Sequence, residues 1–134
     1  MKKLIDNIRE FQEKLAEVRE NIVFDEYSKN NNSIFALERI ILRDKLAQEE
    51  LYETQTAIMS QDKVGTLDGL VDQLYILMGT AHEYGMLDKL EKAWDLVHAN
   101  NMTKLDENGK VHKDESGKVI KPSNYKPVDL KVLF

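Results

Sequence analysis

Gln48-Glu49-Glu50-Leu51-Tyr52-Glu53 lies inside a strongly helical segment that reads from Ser33 to about Ile58. On a helix, residues three and four apart share a face. Glu50 and Glu53 are three apart and Glu49 and Glu53 are four apart, so three carboxylates crowd within about one turn. Each like-charge pair at that spacing costs on the order of 0.2–0.5 kcal/mol. One use for such a cluster is to hold a hard cation through oxygen ligands. The other reading is a solvated acidic face, which is what a run of charge usually means.

A second acidic pair lies in Leu67-Asp68-Gly69-Leu70-Val71-Asp72-Gln73-Leu74-Tyr75-Ile76-Leu77-Met78. Asp72 sits in a run that is apolar on nearly every side. An ionised carboxylate there is costly unless it is paired or bound to metal. Asp68, four residues earlier, shares its face. If the two helices lie antiparallel, the two acidic faces meet across the groove between them.

Glu49-Glu50-x-x-Glu53 followed by an acidic helix with Asp72-Gln-Leu-Tyr resembles the all-α nucleoside triphosphate pyrophosphohydrolases. These include the MazG-type enzymes, the phosphoribosyl-ATP pyrophosphohydrolases and the dimeric dUTP pyrophosphatases. Their pattern is EExxE, a spacer, then ExxD. Gly69 stands where the pattern has its later glutamate, and Asp68 is the only candidate substitute. The resemblance implies that Glu50, Glu53 and Asp72, with Asp68, bind Mg²⁺, for which Mn²⁺ can substitute. Glu49, the carboxylate of the cluster least needed as a ligand, then orients or deprotonates the attacking water.

The rest of the chain fits a helical frame. At 134 residues, 42% hydrophobic and 32% charged, it reads as one domain, 1–134, with a modest core. The helical core spans about 3–99, and a hairpin and tail span 100–134. A net charge of −5 argues against a nucleic-acid surface. The absence of cysteine excludes disulfides and thiolate chemistry. No apolar run is long enough for a membrane span, and Met-Lys-Lys opens a mixed helix, so a cytoplasmic protein is expected.

Leu4, Ile8, Phe11, Leu15, Val18 and Ile22 recur at alternating four and three, which predicts one amphipathic helix from about Lys3 to Phe24. A polar break over Asp25–Asn32 follows, with Asn32 or Ser33 as cap of the next helix. Arg43 either counters the acidic cluster, contacts a phosphate, or is an ordinary surface arginine. Asp62 and Gly65 mark a short connection, and Thr66 is expected to cap a helix from Leu67. Its wide apolar face is Leu67, Leu70, Val71, Leu74, Leu77, Met78 and Ala81, while Tyr75 either joins the core or stacks on a base. His82 reads as a helix-end residue and Gly85 as a left-handed cap. A last helix, about Leu87 to His98, uses Trp94 as a core anchor. Four helices on short turns give an all-α four-helix bundle.

Asn108-Gly109 and Ser116-Gly117 predict a small β-hairpin, and Lys121 to Pro127 an extended tail. This end resembles that of a phage and bacterial subgroup of the same superfamily, where Asn-Met-Thr-Lys-Leu precedes a Gly-Lys hairpin and a Pro-ending segment. An acidic site alone repels a triphosphate, and tail lysines would neutralise it. Asn101, Lys104, Lys118, Lys121 and Tyr125 are therefore candidate substrate-binding residues, with Arg43 and Tyr75.

The function expected is a Mg²⁺-dependent pyrophosphohydrolase that converts a nucleoside triphosphate to a monophosphate and pyrophosphate. Two alternatives stay open: a phosphoribosyl-ATP pyrophosphohydrolase of histidine synthesis, and a non-catalytic helical assembly module. The amount of apolar helix face predicts a homodimer or a dimer of dimers.

Overall fold

A computed structural model describes residues 1–134. It forms two compact units, Met1–Asp88 and Lys89–Phe134. The first contains α1 (Lys2–Lys14), α2 (Ile22–Lys29), α3 (Ile34–Met59) and α4 (Lys63–Glu83). The second contains α5 (Leu90–Met102), a two-stranded antiparallel hairpin of β1 (His112–Lys113) and β2 (Val119–Ile120), and a 3-10 turn at Lys131–Leu133. The protein is all-α with a C-terminal hairpin, as the sequence pattern predicts.

The spine of the helical unit is the antiparallel pair α3–α4. Ser33 starts α3 by accepting the Ala36 backbone N–H at 3.1 Å. Asp62 starts α4 by accepting from Gly65 N–H at 2.9 Å. The helix therefore begins a turn earlier than the Thr66 cap expected for it. Thr66 instead donates its hydroxyl to the Asp62 carbonyl. Gly85, at φ +69°, ends the helix in the left-handed conformation.

The predicted first helix is two. α1 stops at Lys14, and Glu17 and Asn21 take positive φ of 53° and 58°. The cause is tertiary. His82 Nε2 donates to the Val18 carbonyl at 3.1 Å, and the His82 carbonyl accepts the Asn21 N–H at 2.9 Å. The end of α4 thus pins residues 18–21 and overrides helix continuation. α1 then buries Ile5, Ile8 and Gln12 and leaves Leu4 and Phe11 exposed, and Leu15 just beyond it is exposed too. Ile22 and Val23 of α2 pack with Ala36 of α3, flanked by Val18, Tyr27, Ile40 and Tyr84.

The buried interior between helices is unusually polar. Glu83 is fully buried and accepts Arg39 Nε at 3.0 Å, Arg39 Nη2 at 2.5 Å and Gln12 Nε2 at 3.3 Å. Arg43 Nη1 lies 3.6 Å from the same carboxylate. Arg43 is not the surface arginine considered above. It is buried, donating Nε to Thr80 Oγ1 at 3.0 Å and Nη2 to the Ile76 carbonyl at 2.6 Å. Gly79 makes the room, because a Cβ there would stand 2.6 Å from Arg43 Nη2. The expected apolar anchors are less covered than predicted. Of the α4 face only Met78 is buried, Leu70 and Leu77 are 53% and 64% exposed, and Trp94 is 65% exposed.

Candidate active site

The acidic cluster and the acidic pair come together where α3 crosses α4. The crossing is set by Thr54 and Gly69. Thr54 donates its hydroxyl to the Glu50 carbonyl at 2.7 Å and accepts Gln73 Nε2 at 2.8 Å. A Cβ on Gly69 would lie 2.3 Å from Thr54 Oγ1 and 3.1 Å from its Cα. An acidic side chain cannot occupy position 69 without parting the helices. The break in the ExxD pattern is thus a packing consequence.

Glu50 is the hub. It is half-buried, and its carboxyl is held above the ordinary glutamate range. Partial desolvation is the largest cause, followed by the negative charges of Asp72, Glu53, Glu49 and Asp68. The five expected acids therefore share one field, centred on Glu50. Asp72 is half-buried, while Glu49, Glu53 and Asp68 are exposed. No Lys, Arg or His side chain pairs with any of the five.

With the side chains as they lie, no three His, Cys, Asp or Glu groups converge closely enough to hold a metal ion. The donor chemistry still fits a hard cation: oxygen only, anionic and unpaired, with repulsion at Glu50 that a divalent charge would relieve.

Tyr75, one turn beyond Asp72, meets Phe11 edge-on at 5.2 Å between ring centroids. With Asn7, Glu10, Lys14 and Leu15 the two rings line a cleft of about 380 Å³. Phe11 is a wall residue of this cleft, although its periodicity places it in a helix seam. Its helical spacing gave no sign of the cleft, because the other wall, Tyr75, lies on a different helix.

In the C-terminal unit, Asn101, Lys104, Lys121 and Tyr125 gather around the Tyr125 ring. Lys118 stands apart at the exit of a tight turn, its backbone N–H on Asp114 Oδ1. Asn100, which carries no motif signal in the sequence, donates to the Tyr125 hydroxyl. Asp106 accepts from the Lys110 and Asn108 backbone and from His112, which holds its carboxyl below the usual range.

No curated protein and no solved structure matches the chain. A family model does: that of the phosphoribosyl-ATP pyrophosphohydrolases, over residues 8–101, which spans the whole α3–α4 crossing. Enzymes of this family generally work with divalent metal ions. The chain belongs to the phosphoribosyl-ATP pyrophosphohydrolase family, within the MazG-like all-α pyrophosphatase superfamily, and is a pyrophosphohydrolase that cleaves a phosphoric anhydride bond in a nucleotide-like substrate.

Proposed function

We propose that the chain hydrolyses nucleoside triphosphates to monophosphate and pyrophosphate with Mg²⁺, or Mn²⁺ in its place. The observation that carries this reading is the set of four carboxylates acting on a fifth, Glu50, with no cationic partner. Glu50, Glu53 and Asp72 would hold the cation, and Asp68 would stand in for the acid that the close approach of Thr54 keeps from position 69. When bound, the cation supplies positive charge that polarises the phosphoryl oxygens and steadies the leaving pyrophosphate. Glu49 orients the attacking water and takes its proton. The water oxygen bonds to the α-phosphorus while the α–β bridging P–O bond breaks, and that electron pair leaves on pyrophosphate. Tyr75, with Phe11, offers an aromatic cleft beside Asp72 for the base.

A second reading, phosphoribosyl-ATP hydrolysis in histidine synthesis, draws equal support from the matched family. One experiment separates them. A panel of ribo- and deoxyribonucleoside triphosphates and phosphoribosyl-ATP is incubated with Mg²⁺, and products are read by ³¹P NMR. Monophosphate plus pyrophosphate from the triphosphates supports the first reading. A strong preference for phosphoribosyl-ATP supports the second. Orthophosphate alone, or no turnover, refutes both.

The same reading includes a homodimer or a dimer of dimers. Leu51, Leu70, Leu74 and Leu77 line an apolar groove of about 580 Å³ along α3–α4, each 42–64% exposed in the single chain. Monomers rarely leave such a stripe bare. A second copy laid two-fold against it covers both. Light scattering coupled to gel filtration reads the mass, and a fully active monomer at 15.5 kDa contradicts this part. No helix is long and apolar enough to cross a membrane. A cytoplasmic setting completes the reading.

A further inference from the structure

Nothing ionic holds α3 to α4 at the acids themselves. Burial raises the Glu50 carboxyl most, and the charge of Asp72, across the crossing, comes next. Like charges of this kind drive the two helices apart. Something must oppose them where they lie.

Most of the side-chain hydrogen bonds between α3 and α4 are made elsewhere. Those of Arg39 and Arg43 go to Glu83, Thr80 and the Ile76 carbonyl. Arg43 stands about two turns before Glu50, and Thr80 about two turns after Asp72. One bond lies at the acids. Gln73, the neighbour of Asp72, donates Nε2 to Thr54 Oγ1 at 2.8 Å. The Thr54 hydroxyl gives its single proton to the Glu50 carbonyl at 2.7 Å, so it meets Gln73 as an acceptor. A continuous chain of hydrogen bonds thus runs from the residue beside Asp72 to the backbone of Glu50. Thr54 is buried, so solvent does not take the place of Gln73. Gly69 completes the arrangement, because its bare Cα lets Thr54 lie against α4. The close approach that keeps an acid from position 69 is the one that brings Thr54 within reach of Gln73.

We propose that Gln73 and Thr54 are positioning residues for the cation site, and that their hydrogen bond holds Glu50 and Asp72 at the separation from which both reach one ion. This role rests on the cation reading given above. Mg²⁺ demands near-ideal ligand placement, and such constellations work only when supported to within about 0.5 Å. Without the bond, repulsion parts the two acidic faces before any ion arrives. Part of the binding free energy then goes into closing them again, and affinity falls. Neither side chain needs to touch the ion.

The test is titration of the full chain with Mn²⁺, followed by electron paramagnetic resonance, with thermal denaturation in EDTA beside it. Gln73→Met keeps the length of the side chain and loses the donor. Thr54→Val keeps the branch and loses the hydroxyl. Each should weaken Mn²⁺ binding about fivefold, the worth of one neutral hydrogen bond. Thr54→Ser restores the hydroxyl and should bind as the parent does. Thr80→Val removes a bond that Arg43 makes across the same two helices, away from the acids. It should lower Tm and leave Mn²⁺ affinity unchanged. Parent-like Mn²⁺ binding by Gln73→Met and Thr54→Val overturns the positioning role and leaves the cation reading standing. Binding by Thr54→Ser as weak as that of Thr54→Val overturns it too. So does a Thr80→Val effect on affinity as large as that of Gln73→Met, because that is general loosening of the helix pair. No Mn²⁺ binding by the parent overturns the cation reading and this role together.

Discussion

Replacing Gly69 with alanine sets two well-understood effects against each other. Gly69 lies inside α4, where alanine is favoured by about 1 kcal/mol from helix propensity alone. Against this stands the close approach of α3. The new Cβ would meet Thr54 Oγ1 at 2.3 Å, its Cβ at 3.0 Å and its Cα at 3.1 Å. The hydroxyl cannot simply rotate away without losing the Gln73 and Glu50 hydrogen bonds. The backbone of Thr54 cannot swing aside as a side chain does, so the helices must part. Overpacking of this kind costs about 1–3 kcal/mol, and backbone involvement argues for the upper half. The net expectation is a loss of about 1–2 kcal/mol, or about 3–10 °C in Tm. Urea and thermal denaturation followed by circular dichroism measure it. Adding Thr54→Ala should recover part of the loss and show non-additivity in the double-mutant cycle. A Gly69→Ala variant more stable than the parent by about 1 kcal/mol would refute the close crossing, and with it the packing explanation for the missing acid.

Other outcomes follow from the same geometry. Glu83→Gln strands Arg39 and Arg43 beside a neutral group in a fully buried site and should cost about 3–5 kcal/mol by urea denaturation. Glu50 holds its proton more tightly folded than unfolded, so its ionisation removes stability as pH rises through the carboxylate range. Protons also compete with metal there, so the Mn²⁺ concentration for half-saturation should fall as pH rises, and Glu50→Gln should flatten that dependence. Asp68→Asn should raise the Mg²⁺ concentration needed for half-maximal rate while leaving Tm near the parent's. An unchanged requirement would leave Asp68 an ordinary exposed carboxylate on α4.

The helical class was legible because long apolar periods and caps are local signals. Ser33, Gly85 and the hairpin glycines act as their residue types suggest. The acidic residues that act on Glu50 were legible because helical spacing and one short connection suffice to bring two faces together. What was not legible depends on distant partners. The break after Lys14 is dictated by His82, sixty-four residues from the carbonyl it holds at Val18. Arg43 looks like a surface residue in sequence, because nothing local announces that Glu83 is buried opposite it or that Gly79 clears its space. The apolar stripes of α1 and α4 promise a larger core than the chain buries, because periodicity marks an apolar face without saying whether another helix lies against it. Around Tyr125 the sequence names Asn101, Lys104 and Lys121 but not Asn100, because only the turn at Pro122 brings the Tyr125 hydroxyl to that side chain.

The proposed chemistry requires the α3–α4 acids to form one cation site. Electron paramagnetic resonance of Mn²⁺ titrated into the chain tests it directly, because free Mn²⁺ gives a sharp spectrum that is lost on binding. Saturable binding by the parent is expected, with loss of that binding in Glu50→Gln and Asp72→Asn, both variants folded and neither less stable than the parent without metal. Equal Mn²⁺ binding by parent and variants would contradict it.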